Sequence, residues 1–413
     1  VIGLLIDTAA LDAILDQDSL RGTLVGAVIL DASGNDIYHR NADIRMMPAS
    51  NQKILTCAYA MAELGPERTI KTRFWVSGGR LIVDAPGDPL ITAQQLLDAK
   101  AKLKFKGKEV YVHQAFSCGY GPAWEWDDLA QTYAPEIHAL TVDQGQFKLY
   151  ASGGQVEKPR AAFGLTVQRG RTSGSVSVDF IPQRRLLTVN GTLPRSRTLL
   201  GEFSLPQPDR VAARLLGGEL RAWNGAAPSS APGYTITSRP IKRLIKDCLE
   251  PSDNQIAEHL FLMAAGASKP LPANEYSEAS ERAAAFFTSI GIAAGDVLPR
   301  DGSGLSRQNL VTPRALANVL YWTTKQAWAA DYRTALASPG EGTMASRLKD
   351  RNFAGKTGTI YAVSSLSGLL WADDPTKLCV ASLVMNHSSQ PGSAMRVIQD
   401  RFFEACFSDQ GQH

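Results

Sequence analysis

The feature that most limits what this chain can fold into is a change of texture near residue 71 that reverses near residue 235. Before it, "IDTAALDAILDQDSL" sets Ile6, Leu11, Ile14 and Leu15 on one helical face, and "TLVGAVILDASGNDIYHR" reads as two strands joined at Ala32-Ser33-Gly34. A second helix follows, entered through Pro48 and stopped by Gly65-Pro66. From Lys71 the pattern becomes that of an all-β module: "TRFWVSGGRLIV" and "FGLTVQRGRTSGSVSVDFIPQRRLLTVNGTL" are short alternating runs broken by glycines, with a mixed segment over 84–146 between them. Near Tyr234 long helical patterns return, in "PIKRLIKDCLEPSDNQIAEHLFLMAAG", "SEASERAAAFFTSIG" and "RALANVLYWTTKQAWAADYRTALA". The chain closes with apolar strands at "FAGKTGTIYAV", "SLSGLLWA" and "LCVASLVMN" and an amphipathic helix at "SAMRVIQDRFFEACF". Ends that match each other and differ from the middle imply one domain assembled from both ends around an insertion. The expected organisation is a discontinuous α/β (α+β) domain over 1–70 and 236–413, interrupted by a β-rich region over 71–235 made of two modules, with 84–146 nested inside.

Composition narrows the function classes. With 413 residues, 44% hydrophobic and 20% charged, the chain is globular rather than disordered or fibrous. Lys and Arg number 43 against 40 Asp and Glu, and a net charge of +3 gives no support to a nucleic-acid partner. The lysines from Lys100 to Lys108 read as a solvated helix and turn. No apolar run approaches the roughly 18 residues of a membrane span, so no transmembrane segment is expected. The chain begins at Val1 without a basic leader, so an export signal would already have been removed and the compartment has to be read from chemistry. Five cysteines without a Cys-x-x-Cys pair read as small core residues. Six histidines without metal-ligand spacing read as surface or core residues, and no metal or cofactor is expected.

One lysine does not fit the bland pattern. In "MMPASNQKILTCAYAMAELG", Lys53 follows Ser50 by three residues at the start of an otherwise apolar helix. Alone, it reads as a surface lysine, and Ser-x-x-Lys recurs at Ser346-Arg347-Leu348-Lys349, expected in a helix without partner motifs. Ser-x-Asn also recurs, at Ser33-Gly34-Asn35 in a turn. What distinguishes the first copy is order and context: Ser50 and Lys53 at a helix start, Ser252-Asp253-Asn254 after Pro251 between helices, and the single Lys356-Thr357-Gly358 opening a strand. A serine hydroxyl is a poor nucleophile until a base takes its proton, and a lysine one helical turn on lies within reach. To act as that base Lys53 must be partly neutral, which burial and a second cation, Lys356, both favour. Asn254 can hold Lys53 and the substrate amide in register, and Ser252 can relay the proton to the leaving amine. The N–H groups of Ser50 and Thr359 are the expected oxyanion donors, with Lys356, Thr357 and Thr359 facing a substrate carboxylate beside Gly358. Asp253 reads as a cap rather than an acid.

With these motifs the sequence resembles the serine acyltransferases of the β-lactamase/transpeptidase-like superfamily, and within it the low-molecular-mass class C penicillin-binding proteins, the D-alanyl-D-alanine carboxypeptidase/endopeptidase family. The finer match rests on the separation of 202 positions from Ser50 to Ser252, which leaves room for a large insertion, and on "DGSGLSRQN" from Asp301 between the second and third motifs. "PGDP" at Pro86 to Pro89 and "WEWDDLAQTYAPEIHALTV" from Trp124 look like that family's insertion segments, with His138 departing from a small polar residue. The resemblance implies an antiparallel sheet flanked by helices, and a serine D-Ala-D-Ala carboxypeptidase, with or without DD-endopeptidase activity, acting on peptidoglycan stem peptides through an acyl-enzyme that β-lactams also form. It implies an exported protein of the bacterial periplasm or cell envelope. It further suggests that Leu305 and Arg307 border the substrate side-chain pocket, with Tyr361 lining it or packing on the strand. Trp124 and Trp126 read as packing residues.

Two rivals share the motifs. A β-lactamase needs fast hydrolysis of the acyl-enzyme, and class A enzymes use a Glu-x-x-x-Asn loop for it. No Glu between Asn254 and Lys356 has Asn four residues on. A non-catalytic penicillin-binding fold would have no need of Ser50, Lys53, Ser252, Asn254 and Lys356 together.

Overall fold

A computed structural model describes residues 6–157, 164–225, 227–372 and 378–407. The chain falls into two compact units, one of Val1–Arg68, Ile241–Ala267 and Tyr276–His413, the other of Thr69–Pro240 and Ser268–Glu275.

The first unit is built on a five-stranded antiparallel sheet in the spatial order Phe353–Ile360, Val363–Leu370, Cys379–Asn386, Leu24–Leu30, Asp36–Arg40. Val363–Leu370 and Cys379–Asn386 are buried at every position, so both faces must be covered, and their sequences lack the alternation of a half-exposed strand. On one face, Leu11 and Leu15 of the helix Thr8–Leu15 and Met395, Ile398, Phe402 and Phe403 of the helix Gly392–Ala405 share a core with Ala27, Leu366 and Leu383. The helix Pro313–Thr323 packs against Leu24–Leu30 and Cys379–Asn386, and the helix Gln52–Leu64 against Asn254–Ala265. Gln52–Leu64 is buried almost throughout, and Tyr332 donates its hydroxyl to Ile54 O at 2.7 Å. Gly65, at φ +82°, ends it as expected. Phe353–Ile360 is the sheet's edge strand, joined to the next by a two-residue turn at Tyr361 and Ala362.

The second unit has its own core, around Phe74, Val83, Val110, Leu149, Val189 and Leu216. Its largest sheet has the order Glu219–Ala222, Glu109–Gln114, Arg80–Ala85, Lys71–Ser77, Tyr234–Thr237, and two three-stranded sheets accompany it. The stretch is β-rich as expected but not all-β: Arg80–Ala85 and Glu219–Ala222 both run parallel to Glu109–Gln114, so the connections cross over, carrying the helix Ala93–Leu103 within the mixed segment and the helix Pro208–Leu216. Pro208–Leu216 escapes a periodicity reading because it is short and framed by a proline and Gly217. Trp124 is buried, but Trp126 is 67% exposed and is not a packing residue. His138 is a core histidine, its Nδ1 2.9 Å from Ser117 Oγ and its Nε2 3.3 Å from Glu136 Oε2. Cys57, Cys248, Cys379 and Cys406 are buried free thiols.

Candidate active site

The first unit gathers the motifs around one ammonium group. Ser50 lies in the 3-10 turn Ala49–Asn51 and Lys53 is the second residue of Gln52–Leu64. Lys53 is 0% exposed, and its Nζ lies 2.9 Å from Ser50 Oγ, 2.6 Å from Asn254 Oδ1 and 2.7 Å from Ser303 O. An ammonium has three donors, so all three are used. Loss of one proton leaves two N–H groups for the Asn254 and Ser303 oxygens and a lone pair facing the one partner with a proton to give, Ser50.

Asn254 opens the helix Asn254–Ala265, and Asp253 caps it, accepting the Ile256 N–H at 2.8 Å. Ser252 precedes them at φ +69°. A non-glycine residue in that region stores backbone strain, as does Ala49 at φ +48° just before Ser50. Both strained residues flank the reacting groups.

The turn carrying Ser50 is fastened to the sheet. Ser365 donates to Pro48 O at 2.7 Å, Asn51 Nδ2 donates to Ser367 Oγ at 2.8 Å, and Met47 N–H donates to Asn386 Oδ1 at 2.8 Å. A Cβ on Gly358 would sit 2.9 Å from Ser50 N and 2.8 Å from Pro48 O, so only glycine lets the edge strand approach the turn this closely. Along that strand Gly355 exchanges N–H···O bonds with Ala337, on the side away from Val363–Leu370. The period of two then turns the Thr357 and Thr359 N–H groups to the same open edge. An N–H from Ser50 and one from Thr359 can therefore serve a single oxyanion.

Lys356 is also 0% exposed, and donates to Thr357 O at 2.9 Å. Burial lowers the proton affinity of Lys53, opposed by Asp301, Glu258 and Asp253. Burial and then repulsion from Lys53 push Lys356 down to about 7. The repulsion is mutual, so it disfavours the state in which both ammonium groups are charged.

Leu305 is buried, whereas Tyr361 is 84% exposed at the hairpin tip. Arg307 donates to Tyr361 O at 3.2 Å, with its guanidinium 6.0 Å from the ring centroid. Thr359 is exposed and Thr357 half-buried. The second Ser-x-x-Lys copy lies in turns rather than the expected helix, and its Arg347 is tied to Asp400 at 2.7 Å and Gln399 at 2.9 Å. Sequence reasoning missed Glu258, Asp301 and Ser303, which form the wall behind Lys53, and the pinning residues Asn51, Ser365 and Ser367. A signal existed for two of these sets: an acidic residue inside the apolar run "NQIAEHLFLMAA", and serines inside a strand buried on both faces.

The D-Ala-D-Ala carboxypeptidase 3 (S13) family model matches residues 7–405. The chain belongs to that family. It is a serine-type D-Ala-D-Ala carboxypeptidase. The S13 relatives include the D-alanyl-D-alanine carboxypeptidase of Actinomadura sp. (strain R39), 25% identical over 94% of this chain and 82% of that one. Among solved structures, penicillin binding protein 4 (dacB) of Haemophilus influenzae superposes with a TM-score of 0.80 at 21% identity, covering 98% of this chain and 100% of that one. The same protein complexed with a β-lactam gives 0.73 at 22% identity, covering 97% and 98%. The S13 fold thus spans both units. Among the described residues no cluster of three or more His, Cys, Asp or Glu could hold a metal ion, and no helix is long and apolar enough to cross a membrane.

Proposed function

We propose that Ser50 attacks the carbonyl between the two terminal D-alanines of a peptidoglycan stem peptide, releasing D-Ala and leaving an ester on Oγ that water then hydrolyses. Lys53 takes the Ser50 proton, and Ser252 passes a proton to the leaving amine. The oxyanion is held by the N–H groups of Ser50 and Thr359, and Asn254 keeps Lys53 and the substrate amide in register. Lys356, Thr357 and Thr359 bind the terminal carboxylate beside Gly358, and Leu305, Arg307 and Tyr361 border the substrate side chain. The substrate implies an exported enzyme acting in the cell envelope. The observation that carries this reading is the buried Lys53 Nζ, 2.9 Å from Ser50 Oγ and 2.6 Å from Asn254 Oδ1.

A β-lactam presents the same geometry with a leaving group that cannot diffuse away, so it acylates the same serine. Support for this comes from the H. influenzae structural relative, which has been solved with a β-lactam. Intact-mass analysis during incubation with penicillin is expected to give one long-lived adduct, mapped to Ser50 and absent from Ser50→Ala, alongside D-Ala release from a stem pentapeptide. An adduct that persists in Ser50→Ala would remove Ser50 as the nucleophile. Loss of the adduct within seconds would favour β-lactam hydrolysis as the main activity.

A further inference from the structure

Glu258 lies four residues after Asn254 on the helix Asn254–Ala265, so the two side chains project from the same face. It is fully buried. Its Oε1 accepts the Ser303 N–H at 2.8 Å, and its Oε2 accepts the Gly302 N–H at 3.0 Å and the Tyr276 hydroxyl at 3.0 Å. The Ser303 peptide is thus gripped from behind while its carbonyl faces Lys53 at 2.7 Å. The Gly302 carbonyl is taken by Thr56 Oγ1 at 2.6 Å, on the same helix as Lys53. Asp301 closes the loop from inside, accepting N–H groups of Gly304 at 2.8 Å and Ser306 at 2.6 Å and Asn309 Nδ2 at 2.7 Å.

One helix face therefore supplies two of the three acceptors on Lys53: Asn254 directly, and the Ser303 carbonyl through Glu258. A buried carboxyl is an expensive way to hold two amides. Burial, and then Asp301, raise its proton affinity to about 8. Such a cost is tolerated where the geometry it fixes matters.

We propose that Glu258 is a positioning residue for acyl transfer: by holding the 302–303 amides it fixes the Ser303 carbonyl as the third acceptor of Lys53, and so sets the proton affinity of that lysine. This rests on Lys53 being the base. The titratable groups facing the pair are Asp301 in the loop, Tyr276 on the following helix, Cys248 and Asp253 before Asn254, and Lys356 on the edge strand. All of them stay in place in Glu258→Gln.

An acceptor stabilises the ammonium form, so weakening the Ser303 carbonyl as acceptor lowers the proton affinity of Lys53. The neutral amine then appears at lower pH, although it is less well aimed. In Glu258→Gln the second-order acylation rate by penicillin, measured from pH 5 to 9, is expected to fall about tenfold or more at its plateau. Its acid limb should shift to lower pH. A residue that only stabilised the fold would not move that limb, so a superposable profile, or a uniform fall without a shift, overturns the proposal. If Glu258→Gln does not fold, Tyr276→Phe decides, since it removes the hydroxyl that steadies Glu258 Oε2 and so loosens its grip on the 302–303 amides. A smaller shift in the same direction supports the proposal, and an unchanged profile overturns it. Lys53→Arg in the same assay separates the two readings: fast labelling there would refute Lys53 as base, whatever Glu258→Gln does.

Discussion

Two buried lysines in one site differ because their partners differ. Lys53 has three acceptors, whereas Lys356 has one and is brought by burial and repulsion from Lys53 to about 7. Lys356 is thus charged below that pH and neutral above it, and a carboxylate ligand prefers the charged form. Second-order acylation reports the free enzyme, so the rate with penicillin is expected to decline as pH rises through about 7. The methyl ester of the same penicillin, which lacks the carboxylate, should show no such decline. Nor should Lys356→Arg, whose guanidinium does not titrate in this range. An identical alkaline limb for acid and ester would mean that Lys356 does not bind the carboxylate. That Ser50, Lys53 and Asn254 would meet was legible because each lies in a short local pattern. The third acceptor of Lys53 was not, since it is a carbonyl 250 residues away in the chain.

At the scale of elements, the site depends on how closely the edge strand approaches the serine turn. A methyl group on Gly358 would meet Ser365 Oγ at 2.2 Å, Pro48 O at 2.8 Å and Ser50 N at 2.9 Å. The serine hydroxyl could rotate away, but the two backbone atoms could not. Gly358→Ala should therefore push the strand off the turn and separate the two N–H groups proposed to hold the oxyanion. A displacement near 1 Å can cost about a hundredfold in rate. Acylation by penicillin should fall by at least that factor while near-UV circular dichroism still reports a packed fold. Acylation at the wild-type rate would show that strand and turn are not jointly required. The sequence declares most of the surrounding elements, because the helices have periodic apolar faces and the buried strands are continuous apolar runs. It does not declare the strain at Ala49 and Ser252, whose positive φ values are imposed by packing rather than by residue type. Nor does it declare the pinning of the serine turn by Ser365 and Ser367, a long-range match between a turn and a strand more than 300 residues later.

For the molecule as a whole, the question is what the second unit adds. All of the proposed site residues, from Ser50 to Tyr361, belong to the first unit. Its chain enters and leaves the insertion at adjacent points: the Ile241 N–H donates to Arg68 O at 2.9 Å and the Lys242 N–H to Pro66 O at 3.0 Å. A short Gly-Ser bridge from Arg68 to Ile241 can therefore replace residues 69–240 without stretching either end, and loop closure over such a gap costs little. The return from β-rich to helical texture near residue 235 was visible in the sequence, but the pairing that brings these two ends together was not, because it joins residues far apart in the chain. We expect the shortened protein to fold and to be acylated by penicillin within about tenfold of the full chain, since no reacting group or oxyanion donor has been removed. Its action on stem peptides within intact peptidoglycan should fall much further than its action on a small soluble peptide, if the second unit serves to hold the polymer. Measuring penicillin labelling, soluble-peptide cleavage and peptidoglycan cleavage on one preparation separates these effects. A shortened protein that melts cooperatively but cannot be labelled would mean that the second unit takes part in acyl transfer itself. Equal losses on soluble peptide and polymer would rule out a role confined to holding the polymer.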